Sequence, residues 1–106
     1  MKKIILGRGE GKTQKLIKLS FATDTYILVA NRQRQREVFE MARKMGLHIL
    51  NPVTVEDYMN NQFRGSFIKH ILIDDAEDVL RRVFYTVEID AITLTKDEEE
   101  RKMEHE

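Results

Sequence analysis

The residues best suited to chemistry lie in LGRGEGKT at 6–13, where three alternating glycines lead into a lysine and a threonine. Glycines let a loop turn successive backbone N–H groups inward. A helix beginning at Lys12 would add the positive end of its dipole, so the segment suits a polyphosphate. In such a loop Lys12 would reach the terminal phosphates and the Thr13 hydroxyl would ligate magnesium. Two residues depart from the full pattern: Leu6 stands where it has a further glycine, and Glu10 places a negative charge in a loop meant for anions. That charge weakens binding unless Arg8 or Lys12 compensates it.

A second group is HILIDDAED at 70–78, an apolar run that ends on carboxylates about sixty residues after the loop. An acid at the C-terminal end of a strand beside a phosphate loop can hold a metal and its water, and an acidic neighbour can polarise the attacking water. Asp74 takes the first role and Asp75 the second. The same pattern also describes a strand that exits into a helix, where Asp75 and Glu77 would favour the helix dipole.

These groups need elements to position them. Apolar residues at 3–6 predict a strand before the loop, and Leu16, Ile17 and Leu19 space a helix over 12–19. YILVA at 26–30 reads as a strand covered on both faces. Val38, Phe39, Ala42 and Met45 recur at three and four, which predicts an amphipathic helix over 33–45 stopped by Gly46. Residues 48–50 form a short strand candidate ended by Asn51 and Pro52, and Thr54 is a cap for a short helix through Asn60. A loop is expected at 62–69, a strand at 70–73, a helix at 76–84 and a last strand at 89–95. Strands alternating with helices predict an α/β three-layer sandwich with a mainly parallel sheet of about five strands. It would occupy 1–95 as one domain, with 96–106 a charged tail.

The 106 residues include eighteen basic and eighteen acidic ones, so no net field gathers nucleic acid or anionic membrane. The chain has no cysteine, which removes disulfides and thiol chemistry and fits a reducing, cytoplasmic setting. The first apolar run is too short for a signal peptide or a membrane span. Arg32, Arg34 and Arg36 follow the second strand and could touch DNA phosphates, although Arg32 and Arg36 at i and i+4 also suit a solvated helix face. The histidines show no metal-ligand spacing.

LGRGEGKT resembles the Walker A loop of P-loop NTPases, and ILIDDAED is similar to their Walker B strand. LVANRQRQREVFEMA resembles the segment after the second strand of superfamily 1 helicases. TVEDYM falls where those motors carry a short threonine-led helix, and AITLT where their next strand carries a γ-phosphate sensor. The resemblance covers nearly the whole chain. It implies a miniature of the first RecA-like core, of the kind found as small ATP-binding proteins in bacteriophage and prophage genomes. The implied ligands are ATP or another nucleoside triphosphate, with magnesium. Gly7, Arg8, Gly9, Glu10, Gly11, Lys12, Thr13 and Gln14 would then surround the nucleotide. Thr13 and Asp74 would hold the metal, and Lys12 and Asp75 would carry the catalytic roles.

Acid at Asp75 replaces the usual glutamate of that family, no polar sensor clearly follows Leu94, and no second motor domain with its arginine finger follows in this sequence. Hydrolysis is therefore expected to be slow or to depend on a partner, either another protein or a second copy of the chain. The competing readings are a degenerate, non-catalytic P-loop fold that acts as an interaction module on a host or phage replication or defence protein, and a DNA-binding accessory.

Overall fold

A computed structural model describes residues 1–7, 9–60 and 68–96. Its centre is β1 (Ile27–Val29), whose residues are all buried. Side chains alternate between the two faces of a strand, so Ile27 and Val29 point to one side and Leu28 to the other. β1 pairs in parallel with β2 (Val53–Thr54) and with β3 (Leu72–Ile73), giving the order β2-β1-β3.

Each face of β1 meets its own apolar cluster. Ile27 and Val29 pack with Leu16 and Ile17 of α1 (Lys12–Thr23), with Val38 and Ala42 of α2 (Arg32–Lys44), and with Ile49. Leu28 packs with Val53, with Val55 of α3 (Val55–Met59) and with Val79 of α4 (Ala76–Val83). α1 turns Thr13, Leu16, Ile17 and Ser20 inward, the three-and-four spacing of one helix face. Ile17, Ile27, Val29 and Val38 have no exposed surface, and each such side chain contributes about 1.5–3 kcal/mol of burial.

The helix ends follow from local chemistry. α2 begins at Asn31, whose side chain accepts from the Arg34 N–H, and closes at Gly46, which has a φ of 73°. There Gly46 N–H donates to the Arg43 carbonyl and Leu47 N–H to that of Ala42, the paired bonds that end a helix on a left-handed residue. Thr54 caps α3 through Asp57 N–H, as the sequence predicts.

The expected sheet of about five strands is corrected: among the described residues it is a parallel sheet of three short strands, with four helices divided between its two faces. Residues 3–6 join no ladder among the described residues: Ile4 packs against the first cluster, but Ile5 is exposed. At 48–50, Ile49 enters the core without strand pairing, and the ladder starts only beyond Pro52. Residues 89–95 leave Ile92 and Leu94 in solvent. A strand persists where a neighbour satisfies its backbone and both sides bury apolar surface. β3 contributes only two residues, and its Ile73 is 44% exposed, so its free edge offers little to dock against. Arg8, Asn61, residues 62–67 of the expected loop and 97–106 of the charged tail lie outside the described residues. Among the described residues, no helix is long and apolar enough to cross a membrane.

Candidate functional site

The loop at 7–13 turns on left-handed glycines. Gly9 and Gly11 have φ of 73° and 83°, a region that strains any residue with a Cβ. Gly11 is also the N-cap of α1, where it supplies no side-chain hydrogen bond, and no acid follows in the first turn. The first N–H groups of that helix therefore lack both usual forms of local compensation. Lys12 stands half-buried in the same turn and forms no ion pair with a described residue.

Glu10 folds back on this loop. Its carboxylate accepts from the Gly7 N–H at 2.7 Å, and its Oε1 lies 3.0 Å from where a Cβ on Gly7 would be. The sequence reading of Glu10 as an intruding negative charge thus acquires a geometry: the carboxylate sits on one of the donors a phosphate would use.

Thr13 faces inward from α1, and Asp74 directly follows β3, where its N–H donates to the Leu28 carbonyl at 3.0 Å. That ladder bond fixes the strand end beside the start of α1. The Thr13 hydroxyl then donates to Asp74 Oδ1 at 3.1 Å across 61 residues of sequence, and both side chains are buried. A helix hydroxyl beside a carboxylate at the carboxyl end of a parallel strand is the kind of oxygen pair that magnesium takes from protein when phosphate oxygens and water complete its shell. Among the described residues, no three His, Cys, Asp or Glu side chains gather as a metal group. These two residues would give a metal two protein ligands, and a phosphate-bearing ligand would complete its shell.

The sequence reading missed Arg34 as a member of this site. Its Nε donates to Asp74 Oδ2 at 2.8 Å, its Nη2 to the Thr13 hydroxyl at 2.8 Å and its Nη1 to Glu37 at 3.0 Å. The Asp74 hydrogen bond raises the guanidinium pKa above its usual range, burial opposing, so the group stays charged at any working pH. The available signal was topological. α2 starts directly where β1 ends, and β3 is the neighbour of β1, so the first turn of α2 lies near the end of β3.

Asp75 accepts from the Asp78 N–H at 3.3 Å as the N-cap of α4, with a left-handed φ of 55°. The residue expected to polarise water is thus engaged in holding a helix end. Gln14 is exposed on the first turn of α1. Arg32 pairs with Asp57 at 3.3 Å, whereas Arg36 is exposed and unpaired among the described residues. A hollow of about 580 Å³ lies between the N-terminal segment and α1, lined by Leu6, Lys15 and Lys18 among others. Another of about 260 Å³ adjoins Ala30, Asn31 and Thr54. Neither includes Gly9, Gly11, Lys12 or Thr13. No protein family, curated protein or solved structure matches the chain.

Proposed function

We propose that the chain binds a nucleoside triphosphate, with ATP the first to test, as a minimal P-loop protein of the phage type. Gly7, Gly9, Gly11 and Lys12 would take the phosphates, and Thr13 and Asp74 would hold magnesium. The observation that carries this reading is the hydrogen bond between Thr13 and Asp74, which joins the turn after the glycine loop to the acidic end of a parallel strand. A metal held there would supply neutralisation of phosphate charge. The loop supplies N–H donors, and Lys12 a charge-assisted contact.

Hydrolysis is slow on this reading. Asp75 is the remaining base, its carboxylate is shared with a helix cap, and an arginine finger would have to come from a partner or a second copy of the chain. The lack of cysteine supports a cytoplasmic setting. One observation favours the competing reading of a degenerate interaction module: Glu10 already engages a donor of the loop. Calorimetry with a non-hydrolysable ATP analogue, with and without magnesium, separates the two. Saturable binding that magnesium strengthens supports the nucleotide site, and no heat at millimolar analogue gives the case to the module. DNA contact through Arg32, Arg34 and Arg36 is tested by a salt-dependent shift assay, since phosphate contacts weaken steeply with salt.

A further inference from the structure

Arg34 links the two proposed metal ligands more closely than a solvated helix residue would. Its Nε holds Asp74 Oδ2 and its Nη2 holds the Thr13 hydroxyl, both at 2.8 Å, while that hydroxyl donates to the other Asp74 oxygen. The three side chains close a ring in which each side-chain oxygen of Thr13 and Asp74 has a partner. Asp74 is 3% exposed at its side chain, so its negative charge needs a nearby cation, and the guanidinium provides it.

We infer that Arg34 is a tethered cation holding the position in which the Thr13–Asp74 pair would take a divalent metal, so that metal binds there only by displacing it. The inference rests on the reading of Thr13 and Asp74 as a metal pair and adds how that pair is regulated. A lone metal would gain one hydroxyl and one carboxylate from the protein, few ligands for an ion that sheds water reluctantly. It would also have to break two hydrogen bonds of a charged donor. A metal already chelated by phosphates brings further ligands of its own, so metal and nucleotide would arrive together. Glu37 gives the displaced arm a place to remain: it accepts from Nη1 at 3.0 Å, is half-exposed, and sits three residues along the same helix. The guanidinium therefore need not lose all its partners when it leaves Asp74.

Manganese titration without nucleotide tests this, read by paramagnetic broadening of the Thr13 and Asp74 amide signals in NMR spectra. Arg34→Gln should bind manganese at that pair at least about tenfold more tightly than the wild type, because the competing cation is gone. Adding Asp74→Asn should cancel the gain. Arg34→Gln should also melt lower than the wild type and recover in millimolar manganese, one cation replacing the other, whereas the wild-type melting point should not move. Arg34→Lys keeps a charge but cannot span both oxygens, and it should fall between them. It serves as the test should Arg34→Gln not fold. Equal manganese affinity in wild type and a folded Arg34 variant overturns the inference. No arm contains nucleotide, so a manganese gain without any triphosphate binding would remove the nucleotide reading and leave the tethered cation standing.

Discussion

α1 and α4 both begin near the carboxyl ends of parallel strands on a residue with positive φ, yet their first turns are completed in opposite ways. α4 starts on Asp75, whose carboxylate accepts from the Asp78 N–H, and acids at 77 and 78 add favourable charge to its dipole. α1 starts on Gly11, with no side-chain cap and no acid in its first turn. α2 and α3 side with α4, through Asn31 and Thr54. Among the described helices, α1 is the one whose amino end is left for something else to complete. A helix end that carries its own anion is finished as structure, whereas one that begins on glycine beside a lysine is suited to an anion from outside.

The comparison can be broken or sharpened by substitution. Lys12→Ala removes the charge that distinguishes the α1 end, and triphosphate affinity should fall about a hundredfold, close to the upper range of one charge-assisted contact. Its melting point should stay at the wild-type value, because Lys12 pairs with no described residue; calorimetry and a thermal melt on one preparation check both.

Gly11→Asp gives α1 the ending of α4. The position has a φ of 83°, near the left-handed region that Asp75 already tolerates, and open space except for Gln14 Oε1 at 3.6 Å. The chain should fold with about 1 kcal/mol of strain, and triphosphate binding should weaken about tenfold as an internal carboxylate takes the free donors. Wild-type affinity in this variant would break the comparison.

The reverse exchange is Asp75→Ala, which leaves α4 uncapped and should cost about 1 kcal/mol in urea unfolding. Asp75→Asn keeps a capping oxygen and should leave stability within about 0.5 kcal/mol, while removing any slow hydrolysis. A hydrolysis rate unchanged in Asp75→Asn would confine Asp75 to its cap.

The smallest effect is expected at Glu10, whose carboxylate sits on the Gly7 N–H in an exposed part of the loop. Glu10→Ala should tighten triphosphate binding severalfold, since a surface charge at such range contributes about 1 kcal/mol or less. Unchanged or weaker binding would mean that the carboxylate does not compete with phosphate.

Much of this contrast is legible in the sequence. The 3.6-residue periodicity identifies α1 and α2, the unbroken apolar YILVA identifies the central strand, and Asn31, Thr54 and Asp75 are cap residues by type. Short strands are less legible because an apolar run shows that a segment can be buried, not that a neighbour exists to pair with it. Residues 89–95 are apolar enough for a strand yet expose Ile92 and Leu94, while Val53–Thr54 pairs directly after a proline that reads as a stop. The site divides in the same way. Thr13 and Asp74 are recognisable from their motifs, but Arg34 lies among other arginines whose spacing suits a solvated face. Only the neighbouring positions of β1 and β3 bring it to Asp74.

The most direct measurement follows the backbone amides by NMR during a titration with a non-hydrolysable ATP analogue and magnesium. The account predicts large, saturable shifts at Gly9, Gly11, Lys12, Thr13 and Gln14, with the Ala76, Glu77 and Asp78 amides at the α4 end nearly unmoved. Equal shifts at both helix ends, or none at the α1 end at millimolar analogue, would contradict it.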